Sequence, residues 1–270
     1  EPQPRGVYCG TIGLLLPHGQ RIFNVAIRTI QLNRGQAIYG VGGGITWDST
    51  WESEYREVHQ KAAVLYRKQA RFQLITTGKI NQKNLLFEEQ HLERLRTASR
   101  YFAFPFDAED LRHKIEEECQ ACDANQDYRL RISLSKSGEL EVDRQVLTPL
   151  SISFCQAKLC LQEANLQQAF TYFKTTYRPH LNLGEQEIIY HNKSGELLET
   201  SIGNLVLKIA EKLYTPPIEL GILPGIYRQH LLETGQIEEK VLTLADLAQA
   251  EAIYGCNAVR GLYELSLEEN

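Results

Sequence analysis

The chain has 270 residues, 43% of them hydrophobic and 23% charged, so it can bury one large core or two modest ones. Its net charge of −5 argues against a surface for nucleic acid or anionic lipid, and no apolar run is long enough to span a bilayer. Six cysteines are too few for a disulfide scaffold, so we expect a cytoplasmic protein with reduced thiols. Methionine is absent even at position 1, which indicates a piece of a longer product.

The first 69 residues are predicted to contain three strands and one helix. Apolar-rich runs at 7–16, 22–30 and 36–41 are typical of strands, and a Pro-His-Gly turn predicts that the first two form a hairpin. Asp48 and Ser49 are good N-caps for a helix that runs to about Lys68. Its expected buried stripe follows helical spacing and consists of Trp51, Tyr55, Val58, Ala62 and Leu65.

The middle of the chain alternates strands and helices. We predict strands at 72–77 and 85–87 and a helix at 88–104, which Pro105 stops. Asp107 is placed to cap a second helix. That helix ends at Cys119 and Cys122, a Cys-x-x-Cys pair without a second pair at zinc spacing, so both are expected to be partly buried thiols.

The remainder is predicted to be rich in strands. Alternation around Lys-Ser-Gly indicates a hairpin of 128–135 with 139–142. Pro224 and Gly235 bound a helix, and Thr243 caps a short one. The further predicted strands are 151–156, 171–173, 187–191, 196–200, 205–209, 252–256 and 261–265.

Three residues suit a phosphorylated carbonyl cofactor. Lys174 follows a predicted strand, and desolvation there would favour its neutral, nucleophilic amine. Glu199 would pair with a ring nitrogen if buried, although an edge strand would expose it. Arg94 has a guanidinium that suits phosphate, although most arginines on amphipathic helices are solvated. The glycine turn 200–204 and the helix start at 225–227 offer free backbone N–H groups to an anion.

The order of these segments resembles that of a known enzyme family. Phe-Lys-Thr-Thr-Tyr-Arg (173–178), Leu-Leu-Glu-Thr-Ser-Ile-Gly-Asn (197–204) and Leu-Pro-Gly-Ile-Tyr-Arg (223–228) resemble the cofactor-holding segments of fold-type IV pyridoxal-phosphate enzymes, in particular the 4-amino-4-deoxychorismate lyases. The resemblance implies an α+β fold of the D-amino-acid-aminotransferase type. It divides into an N-terminal α/β subdomain at 70–147 and a strand-rich subdomain at 148–270.

The resemblance also implies a role for each site residue. Lys174 would form the Schiff base with pyridoxal phosphate, Thr77 would lie near the reacting proton, and Arg131 would meet a substrate carboxylate. The implied cofactor-binding residues are Arg94, Lys174, Glu199, Ile202, Gly203, Asn204, Ile226, Tyr227 and Asn257.

The implied reaction cleaves 4-amino-4-deoxychorismate to 4-aminobenzoate and pyruvate, a step of folate biosynthesis, in a homodimeric enzyme. One departure from the family concerns the 25 positions from Lys174 to Glu199, where the family places a helix. We expect a loop at 180–186 in its place.

Residues 1–69 resemble the C-terminal end of the chorismate-utilising enzymes, specifically aminodeoxychorismate synthase component I. The matching motifs are Gly-Val-Tyr-Cys-Gly-Thr-Ile-Gly (6–13), Ala-Ile-Arg-Thr (26–29), Gly-Gly-Gly-Ile (42–45) and the carboxylates and lysine of 48–61. The implied substrate contacts are Tyr8, Arg28, Gly42, Gly44 and Lys61. Glu54 and Glu57 are the implied Mg²⁺ ligands, and a glutamine amidotransferase subunit would supply ammonia. Because the match covers only the end of a larger domain, we expect no synthase activity from these residues.

Two other readings stay open at this point. A fold-type IV aminotransferase for branched-chain or D-amino acids would share Lys174, Glu199 and Arg94. A truncated protein that binds the cofactor without turnover would account for the short interval after Lys174. The synthase-like N-terminus favours the lyase, because the first enzyme's product is the second enzyme's substrate.

Overall fold

The computed structural model describes residues 4–66, 70–162, 169–182 and 184–268. The chain forms two compact units, Glu1–Ala70 (unit 1) and Arg71–Asn270 (unit 2). No described helix is both long and apolar enough to cross a membrane.

Unit 1 contains two hairpins and a helix. Strand β1 (Thr11–Leu15) pairs antiparallel with β2 (Arg21–Val25), as predicted, and β3 (Ile30–Asn33) pairs with β4 (Gln36–Tyr39). The run 22–30 is therefore two strands and not the single one expected, because the chain turns at Arg28, whose φ is 52°.

Helix α1 (Trp51–Tyr66) differs from its prediction in its start and its burial. Its first turn is capped by Thr50, whose hydroxyl accepts the N–H of Ser53 at 3.3 Å, and not by Asp48 or Ser49. None of the residues in its expected stripe is buried, and the Trp51 side chain is 73% exposed. The only buried hydrophobic residue that the structure describes in unit 1 is Ala26, so the unit has no core for the stripe to join. The predicted helix end near Lys68 lies outside the described residues.

Unit 2 begins with a four-stranded antiparallel sheet in the order β6-β5-β7-β8 and two helices that pack against it. Its elements are β5 (Leu74–Asn81), β6 (Asn84–Leu85), α2 (Glu88–Phe102), α3 (Ala108–Gln120), β7 (Tyr128–Leu134) and β8 (Leu140–Val146). Leu92, Leu95 and Leu111 from the helices and Leu130 from the sheet are fully buried in the shared core.

The helix boundaries here follow local chemistry. Helix α2 ends at Ala103, which adopts the left-handed conformation, and the N–H of Phe104 bonds to the carbonyl of Ser99 at 2.9 Å before Pro105. Asp107 caps α3 as predicted, because its carboxylate accepts the N–H of Glu109 at 2.9 Å.

The remaining strands form one eight-stranded sheet in the order β11-β10-β9-β16-β15-β12-β13-β14, which closes on itself because β11 also pairs with β12. Its elements, with their helices, are α4 (Ile152–Cys155), β9 (Gln156–Leu161), α5 (Ala169–Tyr172), β10 (Ile188–His191), β11 (Leu197–Thr200), β12 (Asn204–Ile209), β13 (Lys212–Thr215), α6 (Ile226–Glu233), β14 (Glu238–Glu239), α7 (Leu244–Gln249), β15 (Ala252–Asn257) and β16 (Gly261–Leu267).

Two predicted strands of this region are wrong. The segment 151–156 forms α4, capped by the Ser151 hydroxyl, and the strand starts only at Gln156. Residues 171 and 172 belong to the single turn of α5, and the N–H of Phe173, the next residue, bonds to the carbonyl of Ala169. This turn buries Phe170 edge-on against Phe72, at a centroid distance of 5.1 Å, so a tertiary contact overrides the local strand pattern.

Cys119 and Cys122 are free, as predicted, and both are buried where only partial burial was expected. Burial raises the pKa of Cys119 to about 11, so the thiol stays protonated and unreactive. Nowhere in the described chain do three or more metal-ligating side chains gather.

Candidate active site

A cleft opens in unit 2 where β5, the β11–β12 turn and the start of α6 meet the segment after α5. Most of the residues expected to hold a cofactor line it, namely Arg94, Lys174, Glu199, Ile202, Gly203, Asn204, Ile226 and Asn257, and so does Thr77, which was expected near the reacting proton.

Lys174 lies in the wall of this cleft, directly after α5. Its carbonyl accepts the N–H of Ile75 at 2.9 Å, which fixes the lysine backbone to β5. Burial, followed by the nearby charges of Arg94 and Arg178, holds the lysine pKa well below its usual value. A neutral amine is therefore favoured, which can act as a nucleophile or as a base.

Glu199 lies on β11 between β10 and β12, and its side chain is only 3% exposed. The structure thus excludes the surface position that an edge strand would give it. Burial raises the carboxyl pKa to about 8, although the Leu223 N–H at 3.3 Å and the charges of Arg178 and Lys174 act in the opposite direction. A buried carboxyl is suited to hold a protonated ring nitrogen.

The start of α6 and Arg94 form the anion-binding end of the cleft. An Arg94 nitrogen donates to the carbonyl of Pro224 at 2.6 Å, which aims the guanidinium at the first turn of α6. A Cβ on Gly225, the N-cap residue, would lie 1.9 Å from the side-chain oxygen of Asn204, so only glycine fits there. Burial lowers the Arg94 pKa to about 10, which leaves the side chain charged near neutral pH. Free N–H groups and this cation together suit a phosphate.

The turn between β11 and β12 holds its own donors. The N–H of Ile202 bonds to Glu187 at 3.2 Å, and the N–H of Gly203 bonds to the Thr200 hydroxyl at 3.1 Å. The side-chain nitrogen of Asn257 donates to the carbonyl of Ile202 at 3.3 Å. These groups are hydrogen-bonded within the wall of the cleft, so Arg94 and the start of α6 are the groups that would bind an anion.

Tyr227 and Arg131 take positions beside the cleft. Tyr227 follows Ile226 in the first turn of α6, and its ring packs towards Phe87 at a centroid distance of 6.0 Å. Arg131 on β7 lies opposite Thr77 in the register of β5 and β7. The charge of Arg131 lowers the pKa of Lys174, so it lies within electrostatic reach of the amine.

Three polar residues of the site were not singled out from the sequence. Arg178 and His180 line the cleft, and His180 begins the segment 180–186, where a loop was predicted and no described helix occurs. Glu187 is fully buried and accepts hydrogen bonds from the Ser201 hydroxyl and the Tyr263 hydroxyl as well as from Ile202. Arg178 had a sequence signal, since it closes the Lys-Thr-Thr-Tyr-Arg motif, whereas a glutamate before a strand is ordinarily exposed.

Several substrate-site residues implied for unit 1 come together. The Lys61 amine donates to the carbonyl of Gly42 at 2.8 Å and pairs with Glu57 at 2.5 Å. A Cβ at Gly42 would lie 3.2 Å from the Tyr8 hydroxyl. Glu54 accepts the Ser49 hydroxyl at 2.7 Å.

The other unit 1 positions are exposed, namely Arg28 and Gly44. Glu54 and Glu57 supply only two carboxylates. No part of the described chain brings three or more metal-ligating side chains together.

Two families match different parts of the chain. The amino-transferase class IV family matches residues 73–266, and the chorismate binding enzyme family matches residues 1–67. The boundary between the two matches falls at the junction of units 1 and 2.

Two curated relatives reflect this division. Aminodeoxychorismate synthase component 1 of Streptomyces lividans is 42% identical over 67 residues, which cover 25% of this chain and 14% of the relative. The chain thus spans about a seventh of the synthase's length. Aminodeoxychorismate lyase of Saccharomyces cerevisiae is 25% identical over 251 residues and covers 67% of each chain.

A solved structure shares the fold of unit 2. It is a hypothetical aminotransferase of Mycobacterium tuberculosis in its PLP-bound form, with 20% identity and a TM-score of 0.60. The match covers 73% of this chain and 81% of that one, which confirms the predicted fold-type IV architecture.

Proposed function

Since residues 73–266 show that this chain belongs to the class IV amino-transferase family, we propose that unit 2 binds pyridoxal 5′-phosphate and cleaves 4-amino-4-deoxychorismate to 4-aminobenzoate and pyruvate. The observation that carries the proposal is the meeting of three groups in one cleft. Lys174 offers a neutral amine, Glu199 a buried carboxyl, and Arg94 with the start of α6 an anion site.

The residues of the cleft fit this cofactor. Gly225 shapes the phosphate end of the cleft, because no side chain has room there beside Asn204. The backbone N–H groups can therefore approach a phosphate directly. Glu199 faces the same space and would hold the pyridine nitrogen, and Lys174 would hold the carbonyl carbon. When bound, the cofactor supplies an electron sink for carbanion chemistry at the substrate's amine-bearing carbon.

Lys174 would move the protons of the reaction. Its amine takes the proton from the ring carbon that bears the substrate's amino group, as its low pKa allows. The C–O bond to the enolpyruvyl group on the neighbouring carbon then breaks, which makes the ring aromatic. The released enolpyruvate gains a proton at its methylene carbon and becomes pyruvate. The cleft also contains Thr77, whose hydroxyl would relay this proton.

A lysine substitution tests both cofactor binding and chemistry. We expect reconstituted wild-type protein to absorb in the violet and to release 4-aminobenzoate. Lys174→Ala should lose the violet band, and its rate of 4-aminobenzoate release should fall at least about a thousandfold, because the substitution removes both a base and the covalent anchor of the cofactor. The measurements are an absorption spectrum and the fluorescence of 4-aminobenzoate. A wild-type protein that stays colourless after reconstitution would contradict the proposal and leave the non-catalytic reading.

Amino transfer is the second candidate function, because the family itself carries that name. The chorismate-enzyme match at residues 1–67 favours the lyase, because its relatives make the lyase's substrate. An assay of amino transfer from branched-chain or D-amino acids to a 2-oxo acid separates the two. Transfer without 4-aminobenzoate release would establish the aminotransferase.

For the longer protein we propose a bifunctional route to 4-aminobenzoate for folate. Tyr8, Gly42 and Lys61 would contribute to a chorismate site that unit 1 alone does not complete. In the intact domain Glu54 and Glu57 would bind Mg²⁺, and a glutamine amidotransferase subunit would provide ammonia. We further propose a cytoplasmic homodimer, since a second copy often completes the site in this fold.

A further inference from the structure

Arg178 is a cation of the cleft to which the proposed reaction assigns no task. It lies in the cleft wall with Lys174 and Glu199, and its side chain is half-buried. Among the described residues its guanidinium has no hydrogen-bond or ion-pair partner, although Glu199 lies close enough to act on its charge. An arginine held in a cleft without a partner is costly unless a ligand supplies one.

His180, two residues further along the same segment, also lines the cleft. Its Nδ1 atom is buried and finds no hydrogen-bond partner in the described chain. Burial and the charge of Arg178 lower the His180 pKa to about 4, so the ring is neutral at physiological pH. A neutral imidazole can donate one N–H to an acceptor beside the arginine.

The charges around the cleft are strongly one-sided. Arg94 and Arg131 both lie within electrostatic reach of Arg178, while Glu199 is the only carboxylate among the described residues with a comparable effect on it. A cofactor phosphate would occupy Arg94, and Glu199 would take the ring nitrogen. Arg131 and Arg178 would then still lack anions.

We propose that Arg178 and His180 form a binding subsite for a carboxylate of the substrate. The guanidinium supplies the charge and a planar pair of donors, and the imidazole supplies a third donor. With a second carboxylate at Arg131, the substrate class becomes amines that carry two carboxylates. This inference rests on the proposed function for the place of the cofactor, and it adds a contact that sets specificity.

The test uses the reconstituted full chain and two probes that lack an amine, 4-hydroxybenzoate and the uncharged 4-hydroxybenzamide. Their dissociation constants are read from the change in the cofactor's absorption band, which reports on unit 2 alone. We expect the wild type to bind the carboxylate at least about tenfold more tightly than the amide, as a charged hydrogen bond implies. Arg178→Gln should reduce this preference to near unity, and Arg178→Lys should restore part of it.

Two further variants complete the design. His180→Phe keeps a ring but no donor and should reduce the preference severalfold. Arg96→Gln is the matched control and should leave the preference unchanged, because Arg96 pairs with Glu93 on α2.

The proposed subsite is overturned if Arg178→Gln still prefers the carboxylate probe over the amide, or if the wild type shows no such preference. Loss of the cofactor band in Arg178→Gln overturns it as well, because the arginine would then belong to the cofactor site. Neither probe can react, so the two dissociation constants can be interpreted even if the lyase assay fails.

Discussion

At the scale of single residues, burial shifts Lys174 and Glu199 in opposite directions. The lysine pKa falls and the carboxyl pKa rises to about 8, because a low-dielectric site disfavours both charged forms. In the cofactor-free protein both groups are thus pushed towards neutrality. A bound cationic ring nitrogen would return Glu199 to its ionised form. The position of this carboxyl therefore suits the cofactor-bound protein better than the cofactor-free one.

Glu199 should leave a pH signature on the stability of the cofactor-free protein. Its folded pKa of about 8 lies above the unfolded value of 4.5, so the folded state binds the extra proton and loses stability as pH rises through that interval. We expect the free energy of unfolding of Glu199→Gln to rise relative to that of the wild type by about 1 kcal/mol per pH unit between about pH 6 and about pH 8. Denaturant titrations at several pH values measure this. A difference that does not change with pH would contradict the prediction.

At the scale of elements, one buried carboxylate organises the turn between β11 and β12. Glu187 accepts the Ser201 hydroxyl at 2.5 Å, the Ile202 N–H at 3.2 Å and the Tyr263 hydroxyl at 2.9 Å. The three donors come from the turn and from β16, so the glutamate joins two parts of the closed sheet next to the cofactor cleft. Removing it leaves buried donors without an acceptor.

We therefore expect Glu187→Ala to lower the free energy of unfolding by about 3 kcal/mol and to weaken cofactor binding. Glu185→Ala is the matched control, because Glu185 is exposed two residues earlier and should change stability by less than about 0.5 kcal/mol. Thermal and denaturant unfolding, with a cofactor titration, give the measurement. Equal effects in the two variants would show that the turn does not depend on Glu187.

The elements that the sequence predicted best have boundary signals in their own residues. Asp107 and Thr243 cap their helices as expected, and Thr243 forms a full capping box with Asp246. The strand predicted at 171–173 failed because Phe170 packs on Phe72, which is nearly a hundred positions away in the chain. Local periodicity carries no information about such a partner.

At the scale of the whole molecule, the two units differ in how they are stabilised. All four clusters of buried hydrophobic residues that the structure describes lie in unit 2. In unit 1 large apolar side chains are exposed, including Phe23 at 58% and Leu32 at 79%. A segment that matches about a seventh of a synthase has too little of its own chain to cover these surfaces.

A chain that starts at Arg71 should therefore keep the properties of unit 2. We expect it to bind the cofactor with unchanged affinity and to unfold within about 2 °C of the full chain, because no described buried cluster is removed. Calorimetry and a cofactor titration on both forms provide the comparison. Loss of the cofactor or a much lower transition temperature would show that residues 1–70 support the site.

The sequence by itself determined the family, the order of the motifs and the residues at the centre of the site. Lys174, Glu199 and Arg94 were identified because backbone-level motifs keep their spacing in the chain, and the fold of unit 2 brings all three to one cleft. Only the tertiary structure decided which groups are buried, and burial sets their charge. It made Glu199 a buried carboxyl, left Arg178 without a partner among the described residues and placed Glu187 beneath the turn. It also left the stripe of α1 unburied, since desolvation depends on what the rest of the fold brings alongside.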